Sequence, residues 1–114
     1  MMPYVKSHNV QIWVGLRREY SDIIHTIEDV REICDEFIDD RGGDCITITP
    51  TEYRYLNGNE PGVIIGYINY PRFPKIEPKD EIADRALQLA EMLRVGLGQI
   101  RVSVTTPDKT YMLE

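Results

Sequence analysis

Cysteine, histidine and clustered basic residues are scarce in this sequence, and each shortage excludes a class of site. Two cysteines and two histidines occur in 114 residues, and Cys34, Cys45, His8 and His25 lack the spacing of a zinc site. We therefore expect no metal ion and no cofactor. In a reducing compartment, both cysteines are expected to be unbridged and chemically quiet.

Long hydrophobic runs are also missing. No apolar run approaches the roughly 20 residues of a membrane-spanning helix, and the amino terminus lacks the apolar stretch of a signal peptide. The expectation is a cytoplasmic protein without membrane contact. The net charge of −6, with Arg17-Arg18 as the only basic doublet, weighs against binding to a nucleic acid backbone.

The first half of the chain shows clear hydrophobic periodicity. Residues 1–8 have none and form a loose lead-in, so a single domain is expected over residues 9–114. Apolar residues alternate from Val10 to Leu16, which predicts a strand. A helix follows, and Thr26 with Asp29 three positions later is a typical capping pair at its start.

Two further strands are expected in the middle of the chain. The second runs from Cys45 to about Tyr55, and Pro50 indicates that it is an edge strand or carries a bulge. The turn formers from Asn57 to Gly62 predict a hairpin loop. The third strand then runs from Val63 to about Tyr70.

The last third contains a helix, a strand and a short extra segment. The helix follows Pro78, the strand alternates from Ile100 to Thr105, and residues 111–113 are expected to return as a short C-terminal strand. This order, βαββαβ, predicts an α+β ferredoxin-like fold in which two helices cover one face of a four-stranded antiparallel sheet.

The face without helices is expected to be aromatic and weakly charged. A surface of this kind is a binding platform or an oligomer interface. Its expected members are Trp13, Thr47, Thr49, Tyr53, Tyr67, Asn69, Ser103 and Thr105.

Two short segments resemble RNA-recognition motifs. Ile12-Trp13-Val14-Gly15 is similar to their first-strand signature, and Gly66-Tyr67-Ile68-Asn69-Tyr70 is similar to the end of their third-strand signature. The resemblance implies that Trp13 and Tyr67 are platforms on which bases stack. An RNA-binding module is therefore one alternative function.

A second resemblance rests on the element order and on residues 55–62, which read Tyr-Leu-Asn-Gly-Asn-Glu-Pro-Gly. The order resembles PII/CutA-like proteins, which are ferredoxin-like trimers that bind nucleotides or other small ligands between subunits. The segment is similar to a hairpin of small phage S-adenosylmethionine lyases. This resemblance implies a phage-encoded oligomer in which Glu60 pairs with the ammonium group of the ligand and acts as the catalytic residue.

The residues around this hairpin suggest how a ligand would be held. Aromatic side chains offer flat faces for a purine-like ring, and arginines pair with carboxylate or phosphate. The expected contacts are Tyr53, Tyr55, Tyr67, Trp13, Arg17 and Arg54. The same residues also fit a plain hairpin turn, a cross-strand Glu–Arg pair and an exposed strand end, so a structural or host-protein-binding subunit stays open beside ligand binding.

Overall fold

The chain folds into two helices and five strands in a computed structural model that describes residues 9–41, 45–68 and 79–114. The predicted lead-in at residues 1–8 and the predicted open-face residue Asn69 lie outside these ranges. In chain order the elements are β1 (Asn9–Gly15), α1 (Ile27–Arg41), β2 (Ile46–Tyr55), β3 (Gly58–Ile68), α2 (Lys79–Gly96), β4 (Val102–Thr105) and β5 (Thr110–Leu113).

All five strands form one antiparallel sheet in the order β2-β3-β1-β4-β5. The α+β class is thus confirmed, but the sheet is larger than the four strands expected, because the C-terminal segment pairs along β4. The edge position predicted for the strand that contains Pro50 is also confirmed, since β2 ends the sheet. A proline is tolerated there because an edge strand needs fewer backbone donors.

The core lies on the face of the sheet that the helices cover. Val10, Ile12 and Val14 of β1 are fully buried, and the residues opposite them in β3 are Tyr67, Ile65 and Val63. Both helices contribute to the same hydrophobic cluster through their apolar stripes. The buried members from the helices are Val30, Cys34, Phe37, Ile82, Ala86, Leu89, Ala90 and Leu93.

The expected position of Tyr67 on the open face is wrong. Tyr67 pairs with Val10, and only 3% of its surface is exposed. Residues directly opposite each other in antiparallel strands share a face, so Tyr67 points into the core while Trp13 points away from it. The two-residue platform of an RNA-recognition motif is therefore not formed.

The expected hairpin loop from Asn57 to Gly62 is also wrong, because most of it is strand. Only Leu56 and Asn57 separate β2 from β3, and Asn57 takes the left-handed conformation that such a turn requires, with φ of 62°. β1 pairs with β3 only as far as Gly62. Beyond that point β2 and β3 continue as a two-stranded arm, residues 52–61, in which Glu60 lies opposite Tyr53.

Candidate functional site

A cavity of about 480 Å³ opens at the end of β1, where the arm begins. It is lined by the loop after β1, by one residue of β3 and by the loop between α2 and β4. Three arginines and two glutamates contribute to it, so it is rich in charge of both signs. The lining residues are Arg17, Arg18, Glu19, Tyr20, Glu60, Gln99, Ile100 and Arg101.

Glu60 points its carboxylate across the end of β1. A Cβ atom at Gly15 would lie 3.1 Å from Glu60 Oε2 and 2.9 Å from Gln99 Oε1, so the carboxylate occupies space that only glycine leaves open. Glu60 is half-buried. Within residues 9–41, 45–68 and 79–114, its side chain forms no hydrogen bond and no ion pair.

Arg17 brings the opposite charge to the same cavity. Its backbone is fixed, because Arg17 bridges to Ile24 and its carbonyl accepts a hydrogen bond of 2.8 Å from Gln99 Nε2. Its guanidinium forms no hydrogen bond or ion pair with the described part of the chain, although Glu60 lines the same cavity. A cation and an anion without partners among the described residues thus line one cavity.

The other two arginines already have partners. The guanidinium of Arg18 lies over Gly98, where a Cβ atom would come within 2.5 Å of Arg18 Nη1, and Arg18 Nη2 donates to the carbonyl of Gly96 at 3.4 Å. Arg101 forms an exposed ion pair with Glu114 at 3.4 Å. Arg17 is therefore the cation of the cavity that is best placed to take a ligand.

Tyr53 supports Glu60 from the neighbouring strand. Its ring packs on Gly62, where a Cβ atom would lie 2.1 Å from Tyr53 Cε2, and its hydroxyl donates to the carbonyl of Val14 at 3.4 Å. Burial, followed by the negative charge of Glu60, raises the pKa of Tyr53 above its ordinary value. The phenol stays protonated at neutral pH, with one ring face occupied by the backbone of β3.

The remaining predicted contacts lie elsewhere. Trp13 is half-buried on the open face, where its indole N–H donates to Thr105 Oγ1 at 3.1 Å. The Tyr55 ring packs on Gly58 at the tip of the arm. Arg54 is exposed and pairs with Glu52 of the same strand at 2.7 Å.

The structure therefore brings Glu60 and Arg17 together, places Tyr53 beside Glu60, and separates the other four predicted contacts from the cavity. The lining residues that the sequence did not indicate include Tyr20 and Gln99. They stand in the loops before α1 and after α2, where no periodicity reveals which side chains will meet. Only the register between β1 and β3 brings these loops to Glu60.

A second, larger groove of about 660 Å³ separates α1 from α2. Its lining is mainly apolar, and the charged residues described along it, Glu36 and Glu91, are both acidic. Glu91 is paired with Arg94. Because it lacks unpaired charges of opposite sign, this groove is the weaker candidate.

The described ranges contain neither a metal-binding cluster nor a membrane-spanning helix. No group of three His, Cys, Asp or Glu side chains there is placed to hold a metal ion. No helix in the same residues has the length and apolar character to cross a bilayer.

No protein-family model matches the chain, and no curated protein sequence matches it. The solved structures that resemble it include two of phage enzymes. One is a phage SAM lyase in complex with S-methyl-5'-thioadenosine, with a TM-score of 0.73 and 19% identity over 99% of this chain and 95% of that one. The other is a phage SAM lyase in the apo state, with a TM-score of 0.74 and 22% identity over 99% of this chain and 94% of that one. At these identities the likeness shows a shared fold.

Proposed function

We propose that this chain binds a small zwitterionic metabolite of the S-adenosylmethionine type between Glu60 and Arg17. The observation that carries the proposal is that these two opposite charges line one cavity without a partner among the described residues. A partly buried charge without a partner is costly. An amino acid group, with its ammonium beside its carboxylate, would pair with both.

The signs of the charges favour a zwitterion over a nucleoside polyphosphate. Glu60 and Glu19 line the cavity together with the arginines, and a carboxylate repels a phosphate group at close range. Two of the three arginines are also engaged within the protein. A ligand that carries an ammonium group beside its carboxylate can instead pair with both signs of charge in the cavity.

The sharpest form of the proposal is cleavage of S-adenosylmethionine. A carboxylate oxygen of the ligand would bond to its own Cγ while the Cγ–S bond breaks and the electron pair stays on sulfur. The products are then S-methyl-5'-thioadenosine, the molecule bound to the neighbouring phage enzyme, and a lactone. This displacement needs no protein base, so holding the bent conformer is the main task of the site, and Glu60 would do so through the ammonium group.

We also propose that the chain acts as a homo-oligomer, a trimer in a PII/CutA-like, ferredoxin-fold arrangement. The arm ends in Leu56, which is 90% exposed, and in the exposed Tyr55. A two-stranded arm is only marginally stable by itself. Contacts with a second copy would cover it, together with the open face around Trp13.

The direct test is calorimetric titration with S-adenosylmethionine, S-methyl-5'-thioadenosine and ATP. We expect S-adenosylmethionine to bind more tightly than ATP. Glu60→Gln keeps the shape and removes the charge, so its affinity for S-adenosylmethionine should fall by about 1–3 kcal/mol, or roughly 5- to 150-fold. Glu52→Gln is the matched control, because Glu52 is an exposed glutamate of the same arm outside the cavity.

Two outcomes would contradict the proposal. Tighter binding of ATP than of S-adenosylmethionine would reject the zwitterionic ligand. Unchanged affinity in Glu60→Gln with a large fall in Tm would show that Glu60 is a structural residue of the arm. The cleavage itself is checked by chromatography of S-methyl-5'-thioadenosine formed from S-adenosylmethionine. If the protein binds S-adenosylmethionine and forms no such product, its function is to sequester the ligand.

A further inference from the structure

The loop after β1 holds an exposed tyrosine in a strained backbone conformation at the cavity. Tyr20 has φ of 48°, a region that bulky side chains rarely adopt, and 91% of its surface is exposed. It lines the cavity together with Glu60 and Arg17. Folding gives no reason for an aromatic residue here, because the ring buries almost nothing and glycine would fit the backbone better.

Hydrogen bonds on both sides hold this conformation in place. The amide of Arg18 donates to the carbonyl of Ile23 at 2.9 Å, and the amide of Ser21 donates to the carbonyl of Arg18 at 3.1 Å, which closes the turn. The amide of Glu19 donates to the carbonyl of Gly98 at 2.9 Å and ties the loop to the other wall of the cavity. Strained residues persist where the surroundings over-determine them, and they cluster at ligand sites.

We propose that Tyr20 recognises the heteroaromatic ring of the ligand by stacking, while Glu60 and Arg17 hold its amino acid end. This inference rests on the proposed function. A tyrosine on a rigid loop offers a large flat surface at low entropic cost. The rings of Tyr53 and Tyr55 lie against Gly62 and Gly58, and Tyr20 is the aromatic residue that lines the cavity in the described ranges.

The experiment compares two glycine substitutions at left-handed positions. Tyr20→Gly removes the ring and relieves the backbone, so we expect an equal or higher Tm and at least tenfold weaker binding of S-adenosylmethionine. Asn57→Gly is the matched control, because Asn57 has a similar φ in the turn of the arm and does not line the cavity. It should leave the affinity unchanged, and Tyr20→Phe, which keeps the ring, should bind nearly as tightly as the unaltered protein.

Two fragments of the ligand separate ring from amino acid. S-methylmethionine carries the amino acid and the sulfonium without the ring, so its affinity should depend on Glu60 and not on Tyr20. S-methyl-5'-thioadenosine carries the ring without the amino acid, so its affinity should depend on Tyr20 and not on Glu60. This pattern is expected if Tyr20 binds the ring of the ligand and Glu60 binds its amino acid end.

Failures of the two proposals are distinguishable. Full affinity of Tyr20→Gly for S-adenosylmethionine, with weakened Glu60→Gln, overturns the role of Tyr20 and leaves the proposed function intact. Absence of binding by the unaltered protein overturns both. A changed oligomeric mass of Tyr20→Gly in light scattering, or a clearly lower Tm, would make Tyr20 a subunit contact or a folding residue and would also overturn the inference.

Discussion

At the scale of single residues, glycines decide where the tyrosines of the arm can lie. A Cβ atom at Gly62 would come within 2.1 Å of the Tyr53 ring and 2.8 Å of the backbone carbonyl of Val14. Gly62→Ala should therefore displace Tyr53 and lower the unfolding free energy by about 1–3 kcal/mol, as overpacking does. Because Tyr53 lies opposite Glu60, ligand affinity should fall as well.

Gly58→Ala is the control for this substitution. A Cβ atom there would meet the Tyr55 ring at 2.4 Å, but Tyr55 is largely exposed and can swing away. Urea unfolding should show a smaller loss of stability than in Gly62→Ala. Equal losses in the two variants would mean that the packing of Tyr53 on Gly62 is unimportant.

The buried thiol of Cys34 is expected to be unreactive in the folded protein. Burial in the core, followed by the charge of Asp35, raises the pKa of the Cys34 thiol to about 12. Iodoacetamide at pH 8 should therefore label Cys34 only when the protein unfolds, whereas urea-unfolded protein should react at both thiols. Mass spectrometry of the labelled peptides measures this, and fast labelling of native Cys34 would contradict its buried position.

The same thiol predicts a loss of stability at high pH. The unfolded chain releases the Cys34 proton near its ordinary pKa of 9.0, whereas the folded chain keeps it until about 12. The unfolded state thus binds fewer protons between these values, so the unfolding free energy falls as pH rises through this window. Cys34→Ala should show a shallower fall in urea titrations at pH 8 to 10, and an identical slope would contradict the assignment.

The residues also show what the sequence could and could not predict about the site. Glu60 is predicted from the resemblance of residues 55–62 to a lyase hairpin, and Arg17 is predicted because an arginine beside that hairpin can pair with a carboxylate or phosphate. The sequence predicts the wrong face for Tyr67 because residues 63–68 are apolar on both sides of the strand, so their alternation does not show which side faces the core. The pairing of Val10 with Tyr67 determines which face Tyr67 occupies, and that pairing is a long-range contact that the local sequence does not reveal.

At the scale of elements, the start of α1 is the local structure that the sequence predicts best. The amide of Asp29 donates to Thr26 Oγ1 at 3.2 Å, and the amide of Thr26 donates to Asp29 Oδ2 at 3.1 Å. Such a reciprocal pair depends on residues three positions apart, so the prediction needed no tertiary information. Thr26→Ala should lower the unfolding free energy by about 1 kcal/mol in urea unfolding, and Thr26→Ser should restore it.

This cap should also respond to acid. A hydrogen bond with His25, then one with the Thr26 amide, lowers the pKa of Asp29 below its ordinary value of 3.8. Its stabilising contribution is therefore complete above pH 3.8 and is lost as pH falls through the lower, folded-state pKa. The stability difference between the unaltered protein and Asp29→Asn should shrink on acidification below pH 4, and a constant difference would exclude the charged cap.

The arm shows where element prediction failed. Asparagine, glycine and proline between residues 57 and 62 are typical of loops, yet β3 begins at Gly58. Two of these glycines, Gly58 and Gly62, leave room for the rings of Tyr55 and Tyr53 and do not form a turn. Pro61 is tolerated in β3 because its carbonyl still accepts a hydrogen bond from the amide of Leu16, at 3.0 Å, while its missing N–H lies beyond the paired part of β1.

At the scale of the whole molecule, both helices pack on one face of the sheet, and no described helix packs on the other. Trp13 and Ile64 pair at the centre of the uncovered face, flanked by Ser103 on the next strand. The arm carries exposed Tyr55 and Leu56 beyond the edge of β1. A second copy that covers these side chains would bury apolar surface, so the proposed oligomer predicts a particle heavier than one chain.

Light scattering at micromolar concentration should give a multiple of 13.2 kDa, with three chains expected. Leu56→Asp places a charge at the tip of the arm without touching the core, because Leu56 is almost fully exposed. If the arm packs against another copy, the charge would be buried there without a partner, and the particle should dissociate towards 13.2 kDa. Val95→Asp adds the same charge at an exposed site on α2, away from the arm and the open face, and should leave the mass unchanged. A single-chain mass for the unaltered protein would reject the oligomer, and dissociation in Val95→Asp alone would move the contact from the arm to the helices.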